Sequence, residues 1–183
     1  MFRRLHGDAR TASALKTLGD AHWRQGKFEE ALAELEEALR IQQQLHGPED
    51  AEVAGIIQSI AVIHDMQGKL AEALQGYTEA LRIFKTRLGP EHADVSGALS
   101  NVAIMHKRLG RIPKALAGLK KALRIEQKTL GEEHPQVGST LNSIANDLRD
   151  EGKHAEAHET CRKSLGILIK RLGRSIRRLP GHT

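Results

Sequence analysis

Apolar residues recur along the chain at offsets of 0, 3, 4, 7, 8 and 11. Val53, Ile56, Ile57, Ile60, Ala61 and His64 form one such set, and Val95, Ala98, Leu99, Val102, Ala103 and His106 form another. Val137, Thr140, Leu141, Ile144, Ala145 and Leu148 repeat the spacing, as do Thr11, Ala14, Leu15, Leu18, Gly19 and His22. This is one face of a 3.6-residue helix. The segments between these sets are rich in Ala, Leu, Glu, Lys and Gln and predict a second helix in each interval. The whole pattern returns every 42 residues. Gly-Lys or Gly-Arg stands at 26–27, 68–69, 110–111 and 152–153, and Ala31, Ala73, Ala115 and Ala157 follow in step. Ala38-Leu39-Arg40-Ile41 returns at 80–83 and 122–125, and decays to Ser164-Leu165-Gly166-Ile167 in the last copy.

A second glycine series, Gly47, Gly89, Gly131 and Gly173, lies half a period from the first. Two glycines per period predict two helices, each closed by a left-handed C-terminal cap. Pro48 and Pro90 follow a capping glycine, and Pro113 falls where a helix starts and a missing N–H costs little. Acids cluster ahead of the first helix of the later copies (Glu49, Asp50, Glu91, Asp94, Glu132, Glu133) and favour its positive end. Small residues recur at one point of each helix, Gly19/Ala61/Ala103/Ala145 on the first and Ala31/Ala73/Ala115/Ala157 on the second. They predict a close approach of the paired helices.

These motifs together resemble the tetratricopeptide repeat. The 42-residue period, the linkers Leu88-Gly89-Pro90-Glu91-His92 and Leu130-Gly131-Glu132-Glu133-His134, and the stretches Leu99–Ala103 and Leu141–Ala145 are similar to the kinesin light chain and nephrocystin subgroup. The resemblance implies an all-α fold: an α–α solenoid (right-handed superhelix) of about four helix-turn-helix repeats. They fall at about 11–50, 51–92, 93–134 and 135–173, between residues 1–10 and a basic tail at 174–183. It also implies a groove lined by the first helices that binds a peptide or partner segment. Candidate groove residues on those helices are Lys16 and Asp20; Gln58, Val62 and Asp65; Ser100, Asn101, Ile104 and Lys107; and Asn142, Asn146 and Arg149. A side-chain amide offers a donor and an acceptor together, which suits a grip on peptide bonds. Lys107 and Arg149 are expected to meet acidic ligand groups.

The ends shape a further expectation. Leu5-His6-Gly7 repeats Leu45-His46-Gly47, so residues 1–6 read as the last turn of another repeat. The apolar positions of the last helix, Leu165 to Leu179, have no following helix to cover them, and a solenoid needs polar ends. The chain is therefore expected to be a segment of a longer array, or to bury its C-terminal face in a partner or a second copy.

Charge refines the picture. The formal net charge is +5, but seven of the 28 Lys and Arg residues lie beyond Thr160, where there is no acid, leaving 21 basic against 23 acidic residues over 1–159. A nucleic-acid footprint over the whole surface is thus not indicated, and tail-driven binding to nucleic acid or anionic membrane is the minor alternative. No run of 18 apolar residues occurs. No apolar stretch of a secretory signal follows Met1, and the single Cys161 makes no internal disulfide, so a reducing, cytoplasmic setting is expected.

Ten histidines invite a metal reading, and the pattern argues against it. His22, His64 and His106 share a column of the packing face, one per repeat, too far apart for one ion. His154, His158 and Cys161 share an i, i+4, i+7 spacing, but His154 and Cys161 align with Leu70 and Tyr77, which are packing positions, and His92 and His134 read as turn or capping residues. Phosphate-binding loops, nucleophile elbows and zinc-protease motifs are absent. The expectation is no enzyme, no cofactor, no metal and no small-molecule substrate, but a scaffold with a protein or peptide ligand. A sensor or oligomerisation segment of a larger signalling or transport-adaptor protein is the alternative.

Overall fold

The structure is a computed structural model that describes residues 8–176, with side chains as far as Lys170. The readings of residues 1–6 and of the tail beyond Ile176 lie outside the described residues. Among those residues there are eight α-helices and no strand: α1 (Ala9–Arg24), α2 (Phe28–His46), α3 (Ala51–Met66), α4 (Leu70–Leu88), α5 (Ala93–Arg108), α6 (Ile112–Leu130), α7 (Pro135–Asp150) and α8 (His154–Ile176). They pair in sequence order into hairpins α1–α2, α3–α4, α5–α6 and α7–α8. The helices divide into two compact units, α1–α4 and α5–α8, with the boundary between Pro90 and Glu91. The architecture is an all-α repeat solenoid.

The second helices end at the expected glycines, which open the linkers between hairpins. Gly89 and Gly131, each with φ 86°, occupy the left-handed region that side chains with a Cβ avoid. Gly173 departs from the series: α8 continues past it to Ile176. Gly47 and Gly89 are followed by proline, and Gly131 leads to a turn that ends at Pro135, whereas Gly173 is followed by Arg-Ser-Ile, which a helix accommodates.

First helices begin with a side-chain cap. Asp8 Oδ1 accepts from Thr11 N at 2.8 Å, and Asp50 Oδ1 from Glu52 N at 2.9 Å. In the second unit histidine takes the same place: His92 Nδ1 accepts from Asp94 N and His134 Nδ1 from Gln136 N, both at 3.2 Å. Such a bond requires Nδ1 to carry no proton. The linker acids reach further than the helix end beside them. Glu49 pairs with Arg82 at 2.5 Å, Glu91 with Lys128, and Glu133 with Lys170 at 2.5 Å, so each linker is tied to the second helix of the repeat it opens. These pairs are exposed and worth about 0.2–1 kcal/mol each.

The small residues set the helix spacing. Ala31, Ala73 and Ala115 are completely buried. In α3–α4, a Cβ on Gly76 would lie 2.9 Å from Ala61 Cβ; in α1–α2, one on Gly19 would lie 2.8 Å from Leu35 Cγ. Around these contacts the first unit packs Leu35, Ile56 and Ile63 with Leu32, Leu39 and Ile60 across the α2–α3 seam. The second packs Leu116, Leu119, Ile144 and Leu148 with Leu123 across the α6–α7 seam. Burial of each large side chain contributes about 1.5–3 kcal/mol. The offset pattern missed Ile63 and Met105, which lie on the flank of the apolar face and are fully buried, and it counted Leu18, which is 46% exposed.

Ala73→Leu is expected to lower stability by about 1–3 kcal/mol through overpacking of α3 against α4. Ala71→Leu, on the exposed side of the same helix, is expected to stay within about 0.5 kcal/mol. Urea denaturation midpoints of the two variants make the comparison.

Candidate functional site

All twelve residues proposed to line a groove fall on first helices: Lys16 and Asp20 on α1, Gln58, Val62 and Asp65 on α3, Ser100, Asn101, Ile104 and Lys107 on α5, and Asn142, Asn146 and Arg149 on α7. Ile104, Asn142 and Arg149 are exposed and the others half-buried. Two groups of them meet around clefts. In the first unit Lys16 and Asp20 border a cleft of about 450 Å³ between α1 and α3, together with Glu52, Ile56 and, from α2, Gln42. In the second unit Ile104, Lys107 and Asn146 border a cleft of about 110 Å³ between α5 and α7, with Ala103, Ser143, Asp147 and, from α6, Leu119. The remaining seven, Gln58, Val62, Asp65, Ser100, Asn101, Asn142 and Arg149, line neither cleft.

The cleft of the second unit has a charged floor that the sequence reading missed. Asp147 is 2% exposed, and Lys107 Nζ donates to its Oδ1 at 2.7 Å while lying 3.0 Å from Asp150 Oδ2. The hydrogen bond to Asp147 leads in holding the Lys107 ammonium above its usual value, and the same lysine holds Asp150 below the usual carboxylate range. Lys107 thus answers two carboxylates of its own chain, which changes the expectation that it meets an acidic ligand. Arg149 extends into solvent, 3.7 Å from Asp150. The signal for Asp147 was present in the repeat: one and two periods upstream the position holds Met105 and Ile63, so a carboxylate there breaks an apolar column.

Two more polar groups interrupt the packing of this unit. Glu126, 1% exposed, stands where the preceding copies have Phe84 and Gln42, beside Thr140, Gln136 and His134. Burial pushes its carboxyl up, and Thr140 and Gln136 offset part of that rise. His106 is half-buried; desolvation first, then the charges of Lys114 and Arg111, push its imidazole below the usual value. In the first unit His22 Nδ1 instead lies 3.0 Å from Glu34 Oε2. Among the described residues no group of three or more His, Cys, Asp or Glu could hold a metal ion. His154, His158 and Cys161 are all exposed on α8. Among the described residues no helix is long and apolar enough to cross a membrane.

A repeat of paired helices, small residues at the crossings and clefts between successive first helices define a class of repeat scaffold, and comparison with known proteins gives the family. The chain belongs to the tetratricopeptide repeat family, whose model matches residues 2–86 and 94–170. Among solved structures it is similar to BtubC (BKLC) from P. vanneervenii, with a TM-score of 0.79 and 24% identity over 87% of this chain and 63% of that one. A Podosopora anserina protein described as a kinesin light chain with nearly identical TPR-like repeats gives a TM-score of 0.74 and 22% identity, over 92% of this chain and 80% of that one. Aspartyl phosphate phosphatase F from Bacillus subtilis gives 0.80 and 13%, over 90% and 42%. The chain thus spans less than two thirds of the BtubC and phosphatase chains. No curated protein sequence matches it significantly. At these identities the structures establish the fold, which is of the kinesin light chain-like repeat type. Such repeats are typical protein–protein interaction scaffolds and in general non-catalytic.

Two outcomes follow from the buried polar groups. Lys107→Ala strands the Asp147 carboxylate and is expected to cost about 1–3 kcal/mol. Asp147→Met, the residue type one period upstream, is expected to be near neutral, and adding Lys107→Ala to it to cost little more. Denaturation midpoints of the three variants close that cycle. For His106 the folded-state value lies below the unfolded value of 6.5, so its contribution is complete above pH 6.5 and is lost as the pH falls below it. The melting temperature of His106→Leu is therefore expected to fall less than that of the parent between about pH 7 and pH 5.

Proposed function

We propose that the chain is a non-catalytic interaction module that holds an extended or helical peptide segment in the α5–α7 cleft of its second unit. The observation that carries this reading is the convergence of Ile104, Asn146 and Ser143 beside the Lys107–Asp147 pair. Ile104 offers exposed apolar surface. Asn146 offers a donor and an acceptor on one side chain. The ion pair fixes the cleft electrostatically without leaving a strong free cation. The chemistry therefore favours a ligand with an apolar side chain and neutral backbone contacts over a phosphate-rich or strongly acidic one. Volume supports the same scale: about 110 Å³ is the liquid share of three to four waters, room for one inserted side chain. A cytoplasmic setting belongs to this reading, supported by an exposed free Cys161.

Peptide-display selection on the full chain, repeated with Ile104→Ala/Asn146→Ala, tests it. Both substitutions leave the Lys107–Asp147 pair in place. The expected result is a consensus peptide with an apolar anchor whose affinity falls roughly tenfold or more on the variant. A consensus bound equally by both forms, or no enrichment by the folded protein, overturns the reading.

A further inference from the structure

The second helices share one register, and α6 departs from it in charge. At the position of Lys114 the other three carry Glu30, Glu72 and Glu156. At the position of Lys121, α2 and α4 carry Glu37 and Glu79, and at that of Lys120, α2 carries Glu36. Two of these glutamates clamp an arginine three residues on: Glu37 lies 2.6 Å from Arg40, and Glu79 lies 2.8 Å from Arg82. Arg124 stands in the same column, but three residues before it is Lys121. The clamp thus becomes a like-charge pair, which weakens a helix. The Arg124 side chain is accordingly 71% exposed where those of Arg40 and Arg82 are 49%. Among the described residues it reaches only Glu91, at 3.5 Å, which Lys128 also holds, and no ion pair answers Lys114, Lys120 or Lys121. Lys114, Lys120, Lys121, Arg124 and Lys128 are all exposed. At 3.6 residues per turn they share one face, spread over roughly 20 Å of helix. Glu126, the one acid of α6, is buried. The field of this face also reaches inward: after desolvation, Lys114 and Arg111 help hold the His106 imidazole below its usual value.

We infer that this face of α6 docks an acidic helical segment of a protein partner, whose carboxylates take the place of the glutamates that α2 and α4 carry themselves. Like charges along one row weaken α6 on its own, and a local rule is broken in this way where the residues have another use. The width of the patch selects the occupant. The next second helix, α8, returns exposed carboxylates, Glu156 and Glu159, to the positions of Lys114 and Ala117. The positive strip is therefore confined to one helix, and a membrane surface or a nucleic-acid duplex, being broader, would meet those carboxylates as well. From Lys114 to Lys128 the exposed positions hold no aromatic side chain to stack on bases and no large apolar one to enter lipid. A helix suits the strip because α2 already carries carboxylates at this spacing: Glu30, Glu36 and Glu37 match Lys114, Lys120 and Lys121 position for position. Exposed pairs of this kind are weak singly and act as a set, so the contact is steered by charge and falls with salt. The strip shares no residue with the α5–α7 cleft, and the inference stands independently of the function proposed there.

The test is fluorescence anisotropy of a labelled synthetic helix, with glutamates at every third or fourth position along about 15 residues, titrated with the full chain. Binding is expected at low salt and is expected to weaken as salt rises. Lys120→Glu/Lys121→Glu restores the residue types of α2 and the clamp on Arg124, so its thermal melt is expected to be no lower than that of the parent. It sets like charges against the ligand and is expected to weaken binding roughly tenfold or more. Lys120→Gln/Lys121→Gln is expected to fall between the two. Ile104→Ala/Asn146→Ala, which alters the cleft alone, is expected to bind the acidic helix as the parent does, so a failure here is distinct from a failure of the cleft. No binding by the folded parent at low salt overturns the inference, and so does equal binding by the charge-reversed variant. Equally tight binding of a peptide of the same composition with its glutamates spread around the helix also overturns it. Tighter binding of a DNA duplex or of phosphatidylserine vesicles, lost on the same reversal, assigns the strip to phosphate groups and overturns it too. A concentration-dependent gain in mass of the parent that the reversal abolishes does the same, by assigning the strip to a second copy.

Discussion

Ala61 and Gly76 cross in the α3–α4 hairpin with no room for another carbon: a Cβ on Gly76 would lie 2.9 Å from Ala61 Cβ. Gly19 against Leu35 in α1–α2 imposes the same limit, and Gly118 against Ala103, at 3.2 Å in α5–α6, a softer one. Because small residues occupy the crossings, the larger side chains stand beside them and join one hairpin to the next. Leu35 clusters with Ile56 in the first unit, and Leu119 with Ile144 in the second. The spacing within a hairpin therefore sets the chemistry of the contact between hairpins. It also makes the fold repetitive, since each repeat satisfies only its neighbours.

Polar residues enter this apolar lattice mainly in the second unit. Asp147, Glu126 and His106 each occupy a position that carries an apolar side chain in at least one other copy, Met105, Phe84 and Leu148 respectively. The first is answered by Lys107, the second stands beside Thr140 and Gln136, and the third has its imidazole pushed below its usual value by desolvation and by Lys114 and Arg111. Such substitutions weaken packing locally, and a buried ion pair contributes specificity more readily than stability. Here the pair forms the floor of the α5–α7 cleft, so a loss in packing and a gain in recognition chemistry fall on the same residues.

The first and last described helices depart from the interior pattern. At the positions equivalent to the seam residues they carry small or polar side chains, Ala14, Ala21, His158 and Cys161, in place of the aliphatic ones used inside. Leu18, Leu165 and Ile169 remain as the exposed apolar surface of those helices.

Much of the fold was legible in the sequence because backbone geometry is local. The 3.6-residue spacing, the glycine caps, His92 and His134 as N-caps, and the 42-residue period depend on near neighbours along the chain. The candidate cleft was legible only in part. Ile104, Lys107 and Asn146 were named from their place on first helices, which a period can give. That Lys107 is committed to Asp147, 40 residues away, could not be read from the period. Nor could the ties from Glu49 to Arg82 and from Glu133 to Lys170, which span the hairpins. Such pairings depend on which side chains the helix crossings bring within reach, and crossing geometry is fixed by packing across the seam. The sequence by itself determined the helices, their order and the class of scaffold. The tertiary structure alone decided which charges are already answered and which side chains the helix crossings bring together.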